Sequence, residues 1–357
     1  MKKILSILCL LSLCAMLLLG CSPAGQEGGT EEPAGSLPAG ESSSAPGQSR
    51  EEAPAEGIDV RIAALKGPTA MGLVHFMDQA ESGALEENTY SFSVSALVDE
   101  VNPKLAKGEL DIAALPANVA SVLYNNNNAG FQVLAINTLG VIYIVESGES
   151  LQTVEDLRGK TIYATGKGTT PEYALNYILS GNGIDPAADL HIEWKSEPTE
   201  CLSALISQEN AIAMLPQPFV TTAQSKSDKI RVALDLTQEW EALQEGSDSP
   251  SALLTGVVLA RREFVEQNPE AVSAFLAHYR DSVDYVNSNP EEGARLVEKY
   301  GIVTAEIAEK AIPACNITFI EGEEMKEKLS GYLAALLEQN PQSIGGALPG
   351  ADFYFIR

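Results

Sequence analysis

The sequence predicts an α/β protein built as a two-lobed clamp, in which each lobe is a mostly parallel sheet flanked by helices. Between residues 58 and 260, strand-like apolar runs alternate with helix-like segments over short connections, a pattern typical of parallel sheets covered by helices. The alternation forms two successive units, and only helical patterns follow residue 260. We therefore expect the chain to cross between the lobes twice, near 140–150 and near 250–262, and to end on the first lobe.

The N-terminal residues have the pattern of an export signal. Two lysines at positions 2 and 3 precede an apolar run over 4–19, which is too short to span a membrane comfortably. Residues 18–21, Leu-Leu-Gly-Cys, resemble the bacterial lipobox. That resemblance implies cleavage before Cys21 and lipidation of its thiol, which would anchor the chain on the extracellular face of the cell membrane. An ordinary secretory signal or an uncleaved anchor helix is the alternative, and either one still places the rest of the chain outside the cytoplasm.

Residues 22–57 are expected to form a disordered acidic linker. They are almost entirely Gly, Ser, Pro, Ala, Gln, Thr and Glu, with Leu37 as the one large aliphatic side chain. Such a segment cannot bury enough apolar surface to offset the entropy of ordering. The remaining 300 residues, 58–357, suit one large domain or two lobes.

Charge and cysteine content narrow the classes of partner. The chain has 49 acidic and 23 basic residues and a net charge of −26, which argues against nucleic acid and anionic lipid as partners. It does not argue against a small anion held by backbone dipoles. Cys201 and Cys315 are the cysteines of the folded part, and their spacing gives no zinc motif. Free thiols are favoured over a disulfide between them.

The first unit alternates from residue 58 onward. Gly67-Pro68-Thr69 ends the first strand, and Thr69 is a reasonable N-cap for the helix that follows. The predicted strands are 58–65, 90–96, 111–115, 132–138 and 141–146, and the helices are 69–83, 99–107 and one from about 116 to 125.

The second unit and the helical tail complete the folded part. The predicted strands are 160–164, 190–194, 211–215, 230–234 and 253–260, with a helix over 171–179 and helices that start near 198 and 216. The tail helices are 270–287, 290–300, 305–311 and 323–338. The first tail helix has an apolar stripe at helical spacing, which indicates a core-facing helix. We assign 58–145 and 255–357 to lobe 1 and 146–254 to lobe 2.

Three phrases resemble one protein family. Residues 154–162 (VEDLRGKTI), 166–173 (GKGTTPEY) and 110–116 (LDIAALP) are similar to segments of extracellular solute-binding proteins that serve nitrate, sulfonate, taurine and thiamine-pyrimidine transporters. The resemblance implies the type II periplasmic-binding-protein fold, hinged closure over a solute, and an ABC permease with its ATPase as partners. The chain is then expected to be a monomer with no cofactor, metal or catalytic residue. The first loop, 65–72 (LKGPTAMG), differs from the corresponding family segments, so the resemblance does not identify the solute.

The loop Gly166-Lys167-Gly168-Thr169-Thr170 is the strongest candidate for solute contact. It follows a predicted strand and opens a helix, where unpaired N–H groups and the helix dipole attract an anion or a carbonyl oxygen. The glycines allow close approach of the backbone, and the two threonine hydroxyls add donors. The alternative is a capped helix start with nothing bound. Glu172 either holds an amine or simply favours the helix N-terminus.

Other strand ends supply further candidates. Open α/β sheets bind ligands beyond the carboxyl ends of their strands, so these positions should line one cleft. The candidates are Lys66, Gly67, Pro68, Thr69, Leu115, Pro116, Asn118, Asn137 and Gln217. A solvated lysine at position 66 and simple helix caps at 118 and 217 are the alternatives.

Three function classes follow. The leading hypothesis is a binding protein for a small polar or anionic organic solute, similar to a sulfonate, nitrate or taurine. Three aromatic residues, Tyr163, Tyr173 and Phe219, keep a flat pyrimidine-like ring in consideration. The alternatives are an enzyme of small-metabolite biosynthesis with the same fold and a sensor lipoprotein without a permease. The strand ends offer no Ser/His/Asp or Cys/His set, which argues against acid–base chemistry.

Overall fold

The computed structural model describes residues 57–245 and 251–357. The predicted signal peptide, Cys21 and nearly all of the linker lie outside the described residues. The described chain forms two lobes, each built on its own sheet. Within these ranges, no helix combines the length and apolar character that crossing a bilayer requires.

The first lobe has a six-stranded sheet with helices on both faces. In spatial order, with strands numbered along the chain, it contains β2 (Thr89–Ser95), β1 (Asp59–Leu65), β3 (Ile112–Pro116), β10 (Leu254–Arg261), β4 (Phe131–Leu139) and β11 (Ile317–Ile320). The helices from the first part of the chain are α1 (Pro68–Met71), α2 (Val74–Glu81), α3 (Val98–Ala106) and α4 (Ala117–Asn126). The helices of the tail are α9 (Arg262–Gln267), α10 (Pro269–Ser288), α11 (Pro290–Lys299), α12 (Ala305–Ala311) and α13 (Gly322–Gln339).

The second lobe has a five-stranded sheet. Its strands, in spatial order, are β7 (His191–Trp194), β6 (Thr161–Ala164), β8 (Ile212–Pro216), β5 (Ile142–Ser147) and β9 (Ile230–Asp235). Its helices are α5 (Thr170–Gly181), α6 (Pro198–Ser207), α7 (Phe219–Lys226) and α8 (Leu236–Gln244).

The predicted fold class is confirmed, but both sheets are mixed. β1 to β4 run in one direction, and β10 enters antiparallel between β3 and β4. In the second lobe β5 is likewise antiparallel to both β8 and β9. β5 follows the first crossing of the chain between the lobes, and β10 follows the second. Each of them is therefore the first strand that the chain forms after it arrives from the other lobe.

Several details differ from the sequence prediction, and the helix expected over 69–83 is two helices, α1 and α2. Residues 142–145, assigned to lobe 1, belong to β5 and hence to the second sheet, so the chain crosses at Gly140–Val141. The hydropathy of β4 and β5 is alike, so it does not mark a change of sheet. The tail was expected to be all helical, yet β11 pairs with β4. The helix α8 was not predicted either.

The core of the first lobe lies on both faces of its sheet. The stripe predicted on 270–287 is buried on one face, where Val272, Phe275, Leu276, Tyr279, Val283 and Val286 each expose 2% or less. Full burial of such side chains stabilises the fold by about 1.5–3 kcal/mol each. On the opposite face, a second cluster includes side chains from both lobes, among them Trp240 of α8 and Tyr332 of α13.

Candidate functional site

The candidate site is formed at the strand ends that face the other lobe. β1, β3 and β4 run in parallel, so their carboxyl ends lie at one edge of the first sheet. The start of β10 fills the space between β3 and β4, where Gly256 pairs with both Pro116 and Thr138. This register brings three predicted loops of the first lobe to one edge.

The first loop, Lys66–Thr69, follows β1 as predicted. Gly67 has φ 132°, a conformation that favours glycine. The prediction that Thr69 caps the helix is wrong, because α1 already begins at Pro68. The Thr69 hydroxyl instead donates to the carbonyl of Leu65 at 2.6 Å and closes the turn. Thr69 and Pro68 are buried, whereas the Lys66 side chain is exposed and forms no ion pair with any described residue. Lys66 is therefore the one charged group this loop can offer.

Asn137 near the end of β4 is fully buried, and only one of its two polar side-chain atoms has a close hydrogen-bond partner. Its Oδ1 accepts from the hydroxyl of Thr138 at 3.1 Å, while its Nδ2 has no hydrogen-bond partner. The hydroxyl of Tyr279 on α10 is also buried, and it lies close enough to the Asn137 amide for the two groups to interact with each other. Burial raises the pKa of Tyr279, so this hydroxyl keeps its proton and remains a donor. A contact from the amide nitrogen to the phenol oxygen leaves one amide proton and the phenol proton for a solute.

The turn after β3 supplies one polar side chain. Leu115 is fully buried in the core, where it pairs with Val257 of β10, so its side chain does not reach the cleft, and Pro116 is half-buried. Asn118 is completely buried, and its Nδ2 donates to Ser343 O at 3.0 Å. The same Nδ2 lies 3.4 Å from the carbonyl of Gly168 in the second lobe. Asn118 is thus not a helix cap but a bridge between the lobes.

The second-lobe loop has the conformation its glycines suggest. Gly166 and Gly168 have φ 81° and 77°. The hydroxyl of Thr169 donates to Gly166 O at 2.7 Å, and the N–H of Gly168 donates to Glu172 Oε2 at 2.6 Å. Glu172 therefore supports the loop, in line with the second of its two predicted roles. The Lys167 side chain points into solvent.

Thr170 occupies the first turn of α5 and is completely buried. Its hydroxyl lies 3.4 Å from Asn118 Oδ1 and accepts from the hydroxyl of Tyr332 at 3.2 Å. Two predicted solute contacts, Asn118 and Thr170, thus meet each other across the lobe boundary.

Gln217 lies at the end of β8, next to the first crossing. Its N–H donates to Val141 O at 3.0 Å. Its side-chain oxygen accepts from the N–H and the hydroxyl of Thr221, at 3.3 and 2.9 Å. Gln217 therefore supports the start of α7, as its alternative interpretation proposed, while its amide nitrogen remains available.

Several other predicted features have structural roles. His75 stacks on Tyr285, with ring centroids 3.7 Å apart. Cys201 and Cys315 are free and buried, as favoured from the sequence. Of the aromatic candidates, Tyr173 lines a groove between α5 and α13 rather than the strand ends, and Tyr163 and Phe219 pack on the outer cluster of the second lobe. No group of His, Cys, Asp and Glu in the described ranges could hold a metal ion.

The site also contains residues that the sequence prediction did not include. Tyr279 and Tyr332 belong to helical apolar stripes, which predict core residues and conceal the hydroxyl at the end of each ring. Gly256 lies inside a predicted strand, where an isolated glycine does indicate a close approach of another group. That signal was present in the sequence.

Comparisons with known proteins agree with this architecture. Residues 89–311 match the family described as "ABC transporter, phosphonate, periplasmic substrate-binding protein". Binding proteins of Brucella abortus, Brucella suis and Brucella melitensis are 25% identical over 169 residues, which is 47% of this chain and 49% of theirs. The chain thus aligns with about half the length of these curated relatives.

Solved structures share the fold over most of both chains. An ABC transporter protein from Parabacteroides distasonis is 22% identical, with a TM-score of 0.68 over 84% of this chain and 98% of its own. The aliphatic sulphonate binding protein SsuA of Escherichia coli is 18% identical, with a TM-score of 0.64 over 84% and 96%. The alkanesulfonate-binding protein SsuA of Xanthomonas axonopodis pv. citri is 14% identical, with a TM-score of 0.63 over 83% and 96%. The chain belongs to the phosphonate family of periplasmic substrate-binding proteins of ABC transporters.

Proposed function

We propose that this protein is the solute-binding component of an ABC importer and holds a small anionic organic solute between its two lobes. The observation that carries the proposal is the meeting of strand-end loops from both lobes, where Asn118 Nδ2 lies 3.4 Å from Gly168 O. Family membership supports delivery of the solute to a permease and its ATPase.

The chemistry of the site favours an anion bound by neutral donors. The Asn137 amide and the Tyr279 hydroxyl are buried beside each other and carry more donor protons than their mutual contact can use, and α5 is a 12-residue helix whose N-terminus lies in the second-lobe loop. Donors of this kind stabilise a negative charge without the cost of burying a positive one. Phosphonates and sulfonates both present three oxygens to such donors. The sulphonate-binding proteins that share the fold make this class the first to test.

Export and anchoring form a separate part of the proposal. The basic and apolar N-terminal run and the Leu-Leu-Gly-Cys phrase support a cleaved signal and a lipid on Cys21. The protein would then act as a tethered monomer on the outer face of the membrane. Incorporation of labelled palmitate that is lost in Cys21→Ala would support this; equal labelling of both chains would contradict it.

The solute class is tested by a thermal-shift screen of the full chain. The panel contains methylphosphonate, methanesulfonate, taurine, nitrate, amino acids and pyrimidines. A ligand at 100 times its Kd adds about 2.7 kcal/mol to the free energy of unfolding, which is several degrees in Tm. We expect the largest rise in Tm with methylphosphonate or methanesulfonate. A rise with pyrimidines alone, or with no compound of the panel, would count against an anionic solute.

A further inference from the structure

Two lysines hold corresponding places in the two lobes. β1 lies between β2 and β3 and runs parallel to both, and β6 lies in the same way between β7 and β8. The loop after β1 begins with Lys66-Gly67, and the loop after β6 contains Lys167-Gly168. Both glycines have positive φ, 132° and 77°. The two lysines are therefore counterparts on the two walls of the candidate site.

The two loops approach the same part of the lobe boundary. Gly168 O lies 3.4 Å from Asn118 Nδ2, and Asn118 belongs to the helix that directly follows β3. β3 pairs with β1, and neighbouring strands are about 4.8 Å apart, so the Lys66 loop begins one strand away from this contact. Because lysine carries its charge on a flexible four-carbon stem, the ammonium groups of Lys66 and Lys167 can both reach a small group bound between the loops.

Both ammonium groups are free to bind such a group. The two side chains are exposed, and neither forms an ion pair with a described residue. Glu172, the carboxylate nearest to Lys167 in sequence, accepts from the N–H of Gly168 at 2.6 Å instead. Acidic residues outnumber basic ones by 49 to 23 in the chain, so a lack of carboxylates does not explain why these two lysines are unpaired.

Other basic residues of the described ranges do not offer a free charge at this place. Every described arginine forms an ion pair, and so does Lys195, which follows β7. The remaining unpaired lysines precede a strand rather than follow one, so they belong to the opposite edges of the sheets. They are Lys104, Lys107, Lys160, Lys226 and Lys229.

The lysines and the buried donors suit different parts of a solute. Asn137 and Tyr279 are completely buried and neutral, so they can hold one anionic head group inside the protein. Lys66 and Lys167 stay in contact with water, and a strongly hydrated ammonium group is costly to bury. The pair at the rim therefore fits a second group, at the other end of the solute.

We infer that Lys66 and Lys167 form a second subsite of the cleft, which binds a carboxylate or another anionic group at the tail of the solute. The solute class is then a small sulfonate or phosphonate with an anionic tail. A solute with an ammonium tail, such as taurine, is disfavoured because like charges repel. The inference rests on the proposed function and adds the chemistry of the tail.

Three sulfonates with the same number of carbon atoms test the inference on the full chain. Sulfoacetate, ethanesulfonate and taurine each have two carbons, and their tails are negative, neutral and positive at pH 7. Calorimetric titration gives the Kd of each. Exposed ion pairs contribute modestly, so we expect sulfoacetate to bind about fivefold more tightly than ethanesulfonate, and taurine to bind most weakly. Phosphonoacetate, ethylphosphonate and 2-aminoethylphosphonate form a second series with the same expected order.

Variants assign the preference to the two lysines. Lys66→Gln and Lys167→Gln should each lower the ratio of the ethanesulfonate Kd to the sulfoacetate Kd. The controls are Lys107→Gln and Lys229→Gln, which remove the same charge from exposed, unpaired positions before β3 and before β9. These controls should keep the ratio of the unmodified chain. Higher salt should also lower the ratio, because screening weakens interactions between exposed charges.

The outcomes separate this inference from the proposed function. If ethanesulfonate binds as tightly as sulfoacetate, if taurine binds most tightly, or if both lysine variants keep the ratio of the controls, the anionic tail is wrong and the binding function stands. If no compound of either series binds, the proposed solute class and the inference are both wrong.

Discussion

Gly256 lies directly against the side chain of Asn137. A Cβ atom added to Gly256 would lie 2.4 Å from Asn137 Oδ1 and 2.6 Å from the methyl carbon of Thr69. Three segments distant in sequence, the loop after β1, the end of β4 and the start of β10, therefore meet where only a glycine fits. This contact fixes where the Asn137 amide lies at the edge of the sheet.

Replacement of Gly256 by alanine should damage both the fold and the site. The new methyl group must displace Asn137 or Thr69, and overpacking of this kind costs about 1–3 kcal/mol in the free energy of unfolding. Urea denaturation measures that loss. Gly293→Ala is the control, because Gly293 lies in α11 and its added Cβ would come no closer than 3.3 Å to Val286, so a far smaller shift accommodates it. Equal stability of Gly256→Ala and the unmodified chain would contradict the close contact.

Asn118→Asp tests the bridge between the lobes. The replacement keeps the size of the side chain but turns a donor into an acceptor that faces the carbonyls of Ser343 and Gly168. A buried acceptor without a donor costs about 1–3 kcal/mol, and more when it is charged. We expect a clear fall in Tm by calorimetry. Asn289→Asp is the control, since its amide also donates to a carbonyl but is exposed. Similar Tm values for the two variants would argue against a buried bridge.

Asp111 should account for part of the decrease in the free energy of unfolding at low pH. Burial alone would raise its pKa, but hydrogen bonds from Arg61 and Arg261 outweigh burial and hold the pKa below its ordinary value of 3.8. Because the folded pKa is the lower one, the unfolded chain takes up the proton first as pH falls. The stabilisation is therefore complete above about pH 4 and lost as pH falls through the folded pKa.

Asp111→Asn should remove this contribution. The arginine partners of Asp111 keep part of their side chains in solvent, so loss of these charge-assisted hydrogen bonds should cost about 1.5–3 kcal/mol. The dependence of stability on pH below 4 should become flatter. Urea midpoints between pH 2.5 and 7 measure both effects. The exposed Asp59→Asn is the control. If the urea midpoint of the Asp111→Asn variant falls at low pH as it does in the unmodified chain, another carboxylate is responsible.

The two cysteines should be inert in the folded protein. Burial raises the pKa of the Cys201 and Cys315 thiols to about 12, so almost no thiolate is present at neutral pH. We expect peptide mapping to find neither cysteine alkylated by iodoacetamide at pH 8, and both alkylated in guanidinium chloride. Rapid alkylation of either one in the native protein would contradict its burial.

Much of the architecture follows from local pattern. Apolar runs bounded by Gly, Pro and Asn predicted the bounds of most helices and strands to within a few residues. The segments that resemble the family supported the order of the two lobes. The direction of each strand and the sheet to which it belongs could not be predicted from the sequence. The apolar run at 253–260, for example, has the same pattern whether it pairs parallel or antiparallel. β11 was missed because four residues among helices give too short an alternation to detect.

The candidate site could be predicted from the sequence less completely than the fold. Loop positions such as Gly166–Thr170 were predictable from strand, glycine and helix start in sequence. The partners of each side chain were not: Asn118 and Thr170 bond each other because tertiary packing brings α4 and α5 together. Tyr332 could not be foreseen, since its helical spacing indicates only that the ring is buried.

The most direct test of a solute held between two lobes is a calorimetric titration that compares one variant in each lobe. The titrant is whichever of methylphosphonate and methanesulfonate gives the larger thermal shift. Asn137→Ala in the first lobe removes a buried donor, and Thr169→Val in the second removes the hydroxyl that holds the solute loop through Gly166 O. Each change should weaken binding about tenfold, which corresponds to about 1.4 kcal/mol. Thr199→Val, on the exposed surface of α6, should leave the Kd unchanged. If either the Asn137 or the Thr169 variant binds as tightly as the unmodified chain, the solute is not held from both sides as the account requires.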